Sequence, residues 1–467
     1  MHDMVDSYLD ADTETIGAIA SPMGTGGIAI VRLSGGNSVS IADKMIRLRR
    51  RGGTLHSMAS WSMALADIVD TDAGTTIDEA VVLLMKGPRS YTGEDVVEIQ
   101  CHGGMLVAEK VLNIAFRLGV RAAMPGEFTR RAFLNGRITL DEAEAVLDVI
   151  NSASEASLSQ AGRRLKGELG AMVERWESLI IDILALLQGS MDFPENIESE
   201  HSRIEALLTE LSRDIGAVLA KAPLGLALSG GVEVCLVGRP NVGKSSLFNA
   251  LLSRERAIVT DIPGTTRDVL SERTQWYGLP VVLLDTAGLR QTREVVEAMG
   301  VERAKSAAQE SNVILYVLDD TEGILEEDRE WLTRWQDRYC VAVVTKGDLG
   351  KGKIGAGELD HVSRGDWVRV SSVTGEGLEE LKKRVQYMFT SLGDPEVLAP
   401  GSARQVDCLE RALNGIRRAL DDLSLGWTDD VVVLSLEEAA RALMELTGKV
   451  VSNETLDRIF SRFCVGK

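Results

Sequence analysis

The sequence predicts a multidomain chain: an α+β N-terminal domain, a discontinuous all-α helical domain, and an α/β domain inserted between the helical halves. Three observations lead there. The 467 residues suffice for about three domains. Over 228–390 strands alternate with helices, the pattern of a mostly parallel sheet covered on both faces. On both sides of that region apolar residues recur at three- and four-residue spacing, which marks amphipathic helices.

Residues 1–125 read as the mixed domain. Strands are expected over 15–20, 27–33, 61–68, 80–85 and 96–100, several separated by Gly- and Pro-rich turns. Residues 126–226 form the first helical part. Leu165, Leu169, Met172, Trp176, Leu179, Ile183 and Leu187 line one helix face, and Ile204, Leu208, Leu211, Ile215 and Leu219 a second, with a break at 190–194. Residues 227–392 hold the inserted domain, with strands at 232–237, 281–285, 313–318, 340–345 and 367–370. Residues 393–467 return to helix. Val406, Leu409, Leu413, Ile416 and Leu420 form a stripe, Ser435 with Glu438 reads as a capping box, and Gly448 suits a helix end.

The net charge of −19 argues against a surface generally coated with nucleic acid, because such binding needs clustered Lys and Arg. An RNA partner would need a local patch or a second protein. The stretch from Arg47 to Arg51 and the group Arg163, Arg164 and Lys166 could contribute, although solvated faces are the more ordinary reading. Five scattered cysteines without CxxC spacing fit a reducing compartment with neither a disulfide framework nor a zinc site. The acidic N-terminus is unlike a signal peptide, and no apolar run reaches the ~20 residues of a membrane helix. A cytoplasmic protein with no membrane association is expected.

Gly238-Arg-Pro-Asn-Val-Gly243-Lys244-Ser245 follows an apolar strand and precedes a helix start, which is the setting of a P-loop. The backbone N–H groups around Asn241, Val242 and Gly243 would wrap phosphates, and the helix N-terminus adds positive dipole. Lys244 would reach the β- and γ-phosphates, and Ser245, followed by Ser246, would hold Mg²⁺. The other parts of a Ras-like G domain occur in order. Thr266, in Asp261-Ile262-Pro263-Gly264-Thr265-Thr266, offers the metal a second hydroxyl. Asp285-Thr286-Ala287-Gly288 ends a strand, so Asp285 can hold Mg²⁺ through water and Gly288 can turn its N–H to the γ-phosphate. In Thr345-Lys346-Gly-Asp348, Asp348 accepts the two guanine N–H donors that adenine lacks, and Lys346 lays its stem along the base. Ser371-Ser372-Val373 offers a backbone N–H to guanine O6. Such motifs usually carry Asn where Thr345 stands and Ala where Ser372 stands, so weaker anchoring and unchanged base choice are expected.

Leu289 occupies the place where Ras-like GTPases carry the glutamine that orients the attacking water. Hydrolysis therefore needs another source of charge neutralisation; an arginine finger would be worth ~10³–10⁵ in rate. Arg290 and Arg293 are near in sequence but read as solvated. Asn241 could instead coordinate a monovalent cation with its amide oxygen. The G domain alone would also suit a ribosome-assembly GTPase or a signalling switch; the flanks discriminate.

Those flanks contain Gly26-Gly-Ile-Ala-Ile-Val-Arg32-Leu-Ser-Gly, Tyr91-Thr-Gly-Glu-Asp-Val-Val-Glu98, Pro125-Gly-Glu-Phe-Thr, Ala132-Phe-Leu-Asn-Gly-Arg137 and Phe463-Cys464-Val-Gly-Lys467. With the G domain they make nearly the whole chain resemble the MnmE/TrmE family of tRNA uridine-modification GTPases. The resemblance implies a homodimer formed by a folate-binding N-terminal domain, and a GTPase activated by K⁺ as well as Mg²⁺. It implies K⁺ ligands at Asn241 and at the backbone carbonyls of Thr260, Ile262 and Thr265, with Glu297 helping to position water. It implies a site for 5-formyl- or methylene-tetrahydrofolate at Arg32, Glu98, Arg137 and Lys467, where Arg137 replaces the more frequent Lys. Cys464 would bring its sulfur near the one-carbon unit as a catalytic group. The implied reaction builds an aminomethyl or carboxymethylaminomethyl group on carbon 5 of the tRNA wobble uridine. It proceeds in a heterotetramer-like complex with MnmG, a partner that supplies FAD.

Overall fold

The computed structural model describes residues 14–49, 53–192, 197–252, 270–285, 306–335, 337–349, 352–363, 366–390 and 398–467. By contact the chain divides into two compact units, Met1–Leu147 with Thr447–Lys467, and Asp148–Leu446.

The first unit is built on a seven-stranded sheet. Its strands are β1 (Ile16–Ile19), β2 (Ile28–Ser34), β3 (Ile46–Leu48), β4 (Ser62–Val69), β5 (Thr76–Met85), β6 (Val96–His102) and β7 (Arg121–Ala122), ordered β3-β4-β5-β6-β2-β1-β7. The pairings are antiparallel except β1 with β7. Helices α1 (Ser38–Met45) and α2 (Met105–Arg117) supply Val39, Ile41, Met45, Ala108, Val111 and Ile114 to a core shared with Val31, Leu33, Val82, Val97 and Ile99. Both helices and the short β3 and β7 are additional to the five expected strands. Trp61, expected to open β4, instead precedes it with φ +59°. Helix α3 (Glu127–Leu134) and the start of α4 (Leu140–Asn151) belong here too.

The second unit contains the helical core and the inserted domain. Helices α5 (Glu155–Leu165), α6 (Glu168–Asp192), α7 (Ile197–Leu219) and α8 (Ala222–Gly230) precede the insertion. The sheet of the insertion is ordered β13-β12-β11-β8-β10-β9, all parallel except β9 against β10. Its elements in chain order are β8 (Val232–Val237), α9 (Lys244–Leu252), β9 (Leu270–Trp276), β10 (Leu279–Asp285), β11 (Val313–Asp319), α10 (Glu326–Arg334), β12 (Cys340–Thr345), α11 (Ala356–Ser363), β13 (Trp367–Arg369) and α12 (Leu378–Thr390). Helices α13 (Ala403–Ser424) and α14 (Asp429–Thr447) then return, and α15 (Asn453–Phe460) joins the first unit.

The helical core is discontinuous in sequence. Leu169, Val173, Trp176, Ile180, Ile183 and Leu187 of α6 and Ile204, Leu208, Leu211 and Ile215 of α7 pack with Leu409, Leu413 and Ile416 of α13 and Leu436 and Leu443 of α14.

Four expectations need correction. Leu165 ends α5 and is exposed, because the chain turns at Lys166 and Gly167 before α6 begins. Within the expected break at 190–194, residues up to Asp192 still belong to α6, and 193–196 lie outside the described residues. Ser435 and Glu438 cap nothing: they lie inside α14, where Glu438 pairs with Arg418 at 2.6 Å. Arg164 is neither solvated nor available to RNA. It is 1% exposed and bonded to Asp148 (2.6 Å), Ser229 Oγ (2.8 Å) and the Ala399 carbonyl (3.2 Å), while Arg163 pairs with Glu168. In the other basic stretch Arg49 pairs with Asp67 and Glu79, and Arg50 and Arg51 lie outside the described residues. Gly448 does follow the end of α14, with φ +88°.

Candidate functional site

Ligands of open parallel sheets bind beyond the carboxyl ends of the strands. At that edge β8 leads into the P-loop, β10 ends on Asp285, β11 on Asp319 and β12 on Thr345. Asp285 lies opposite Leu236 in register and is 5% exposed.

The loop after β8 takes left-handed backbone at Gly238 (φ +151°), Asn241 (φ +63°) and Gly243 (φ +99°). Asn tolerates this region better than most side chains. Gly238 admits no substitute, since a Cβ there would lie 2.4 Å from the Val317 carbonyl oxygen. Helix α9 starts at Lys244, with Ser245 and Ser246 exposed in its first turn. The Lys244 ammonium donates to the Gly238 and Arg239 carbonyls, each at 2.7 Å. A cation held against a backbone loop at a helix N-terminus fits a polyphosphate.

The segment expected to recognise the base is joined to this loop. Thr345 Oγ lies 2.5 Å from the Val242 carbonyl oxygen and 2.9 Å from that of Leu318, its one proton shared between them. The hydroxyl therefore ties β12 to the P-loop. Lys346 (φ +61°) donates to the Asp319 carboxylate at 2.5 Å and the Asn241 carbonyl at 3.3 Å. Burial pushes the Asp319 pKa up, but the bonds from Lys346 and Thr321 outweigh it and hold it below the usual carboxylate range. Asp348 is exposed in the short 3₁₀ turn Gly347–Leu349. Ser371 is buried, and its Oγ accepts from Val373 N (3.2 Å) and Thr374 N (3.1 Å), shaping the turn that carries Ser372 and Val373. Asp319 and the partners of Arg239 were not read from the sequence. Asp319 merely ends an apolar strand, and no motif spacing identifies it.

Thr260, Asp261, Ile262, Pro263, Gly264, Thr265, Thr266, Thr286, Ala287, Gly288, Leu289, Arg290, Arg293 and Glu297 lie outside the described residues. Of the expected Mg²⁺ and K⁺ ligands, Ser245 and Asn241 are therefore placed. Asn241 lies in the loop that holds Lys244, and Ser245 in the first turn of α9.

In the first unit Arg32 and Glu98 face each other across β2 and β6. Arg32 Nε lies 2.9 Å and Nη2 2.8 Å from Glu98 Oε1, and both side chains are largely buried. The Arg32 guanidinium sits 5.6 Å from the ring centroids of Tyr91 and Phe128, within cation–π range. Its Nη1 donates to the Gly466 carbonyl at 3.1 Å. Residues up to Lys467 are thus docked. Phe460 and Phe463 pack with Leu140 and Leu456. Phe128 N donates to the Lys467 carbonyl at 3.2 Å, and Gly126 N to that of Cys464 at 3.4 Å. Gly126 (φ +68°) allows the approach, since a Cβ there would lie 2.6 Å from the Phe460 carbonyl oxygen.

Cys464 is exposed. Burial and the Arg32 charge lower the Lys467 amine below its ordinary pKa, opposed by Glu98 and Cys464. Arg137 Nε donates to the Ser90 carbonyl at 3.0 Å, next to the Tyr91 that covers Arg32. Guanidinium, carboxylate, amine and thiol thus gather from four distant stretches of sequence.

A family model described as the GTP-binding protein TrmE N-terminus matches residues 15–137, and one described as the MnmE helical domain matches 140–464. The chain is 42% identical over 460 residues to the tRNA modification GTPase MnmE of Carboxydothermus hydrogenoformans, covering 97% of this chain and 99% of that one. It is 43% identical over 458 residues to the protein of that name from Symbiobacterium thermophilum, covering 97% and 99%. Among solved structures, the G domain of the T. maritima FeoB iron transporter is similar at 32% identity and a TM-score of 0.26, over 34% of this chain and 98% of that chain.

Proposed function

This chain belongs to the MnmE family of tRNA modification GTPases, and from that membership we propose that it hydrolyses GTP in the service of tRNA wobble-uridine modification. One observation carries the GTPase reading: the P-loop, Asp285, Thr345 to Asp348 and Ser371 all lie at or just beyond carboxyl ends of strands in a single, mostly parallel sheet. Asp348 selects guanine, and Lys244 neutralises phosphate charge. Ser245 and Thr266 would hold Mg²⁺, which would offset the charge of the phosphates. Asn241, Thr260, Ile262 and Thr265 would hold a K⁺ ion, which would supply the positive charge of an arginine finger, and Glu297 would position the water.

In the same proposal the first unit binds 5-formyl- or methylene-tetrahydrofolate. Glu98 accepts N–H donors of the pterin with Arg32 and Lys467 beside it, while Arg137 offers its charge to the acidic tail. The product is an aminomethyl or carboxymethylaminomethyl group on carbon 5 of the uridine, with Cys464 taking part beside the one-carbon unit. The chain works as a cytoplasmic homodimer with a MnmG-type partner that supplies FAD. No helix among the described residues is long and apolar enough to cross a membrane.

Base selection tests the GTPase half. Asp348→Asn removes the acceptor for both guanine N–H groups, a charged interaction worth ~1.5–3 kcal/mol. It should weaken GTP binding about ten-fold or more and favour xanthosine triphosphate. Unchanged GTP affinity would refute the assignment.

A further inference from the structure

We propose that Asp328, on α10 and outside every nucleotide motif, is a positioning residue for the P-loop lysine, acting through Arg239. The inference rests on the reading of residues 238–245 as a phosphate site.

Asp328 is fully buried. Arg239 Nε donates to both its oxygens, at 3.0 Å and 3.1 Å. The Tyr316 hydroxyl of β11 donates to Oδ1 at 3.0 Å, and Leu325 N to Oδ2 at 2.9 Å. One carboxylate therefore joins the P-loop to the start of α10 and to the centre of the sheet. The Arg239 guanidinium is itself mostly buried, and its Nη1 pairs with Glu322 at 2.7 Å. Such a planar group held by two carboxylates has little freedom.

The main chain of Arg239 carries the consequence. Its carbonyl and that of Gly238 are the two acceptors of the Lys244 ammonium. The Arg239 side chain is thus anchored to α10 while its carbonyl helps hold the phosphate-binding lysine. Without the Asp328 charge, the desolvated guanidinium keeps only the exposed Glu322 as counter-ion and turns toward water. The carbonyl next to Lys244 moves with it. Guanine recognition lies on another segment, after β12, and is not part of this strut.

The proposal therefore makes a split prediction for Asp328→Asn in the full chain. Affinity for GDP and for GTP should fall by a similar factor, about ten-fold or more, as expected for a lost charged hydrogen bond. Affinity for guanosine, which has no phosphate, should change less than about two-fold. Arg239→Lys keeps the charge but loses the two-oxygen geometry. It should show the same split, and the double variant should be no worse than the more affected single variant. The measurement is titration calorimetry with GDP, GTP and guanosine in Mg²⁺, with thermal unfolding alongside. If Asp328→Asn does not fold, Arg239→Lys carries the test alone. Wild-type GDP affinity in a folded variant, or guanosine and GDP affinities falling together, would overturn the strut. Failure of the unaltered chain to bind GDP would instead overturn the nucleotide reading on which the strut depends.

Discussion

The hydroxyl oxygen of Thr345 lies 2.5 Å from the carbonyl oxygen of Val242, so the strand that leads to guanine recognition is hydrogen-bonded directly to the phosphate loop. Together with the Lys346 bond to the Asn241 carbonyl, this hydroxyl positions the two segments relative to each other. Thr345→Val has nearly the same shape and leaves the buried Val242 and Leu318 carbonyls without this donor, a loss of ~1–3 kcal/mol. We expect a lower melting temperature and a GDP dissociation constant raised about five-fold or more, whereas Thr345→Asn, which keeps a donor, stays close to the parent. Calorimetry and thermal unfolding of both variants decide it; a neutral Thr345→Val shows that the bond does not matter.

Arg32 and Glu98 should act as a unit in folate binding. Either Glu98→Gln or Arg32→Ala should weaken 5-formyl-tetrahydrofolate about ten-fold or more, the scale of one charged hydrogen bond. Arg32→Ala should also loosen the tail, because it removes the donor to the Gly466 carbonyl. Titration calorimetry gives the affinities, and proteolysis at the C-terminal residues reports docking. Full affinity in the double variant places folate elsewhere.

Asp141, in the first turn of α4, is fully buried, and neither carboxylate oxygen has a well-formed hydrogen bond. Burial pushes its pKa up to about 6, with Thr139 opposing and Glu142 reinforcing the shift. The folded state therefore binds this proton more tightly than the unfolded state. The resulting cost to stability is fully present above pH 6 and fades as pH falls toward 4. Asp141→Asn should stabilise the chain at pH 8 by up to about 3 kcal/mol, with about half that gain left at pH 5. Denaturant unfolding at the two pH values checks the sign; a gain that grows on acidification contradicts it.

Legibility followed locality. Strands β8 and β12 were delimited from the sequence because each is an apolar run beside a motif. Strand β9, Leu-Ser-Glu-Arg-Thr-Gln-Trp, escaped notice because an edge strand facing water on one side looks polar. Ser435 with Glu438 has the spacing of a helix start, but spacing cannot show that helix already extends back to Asp429. Arg164 looked like surface charge because its partners, Asp148, Ser229 and Ala399, come from three other segments. The same applies at the sites. P-loop and guanine motifs are contiguous and readable, whereas Asp319 and Asp328 act only through tertiary contacts. Arg32 and Glu98 were legible by resemblance, since strand register alone makes them neighbours.

Hydrolysis should require potassium. Leu289 replaces a water-orienting glutamine, and Asn241 adopts left-handed backbone on the loop that holds Lys244. GTP turnover should be much faster in KCl than in NaCl at equal ionic strength, and Asn241→Ala should remove the difference. Equal rates in the two salts refute a K⁺ site.

The central claim joins GTP hydrolysis to chemistry on tRNA, and nucleoside analysis of bulk tRNA tests it most directly. Cells lacking this protein should lose the 5-aminomethyl and 5-carboxymethylaminomethyl uridines. The wild-type gene should restore them, and Lys244→Ala, which disables the phosphate loop, should not. Modified uridines that persist without the protein, or full restoration by Lys244→Ala, would contradict the account.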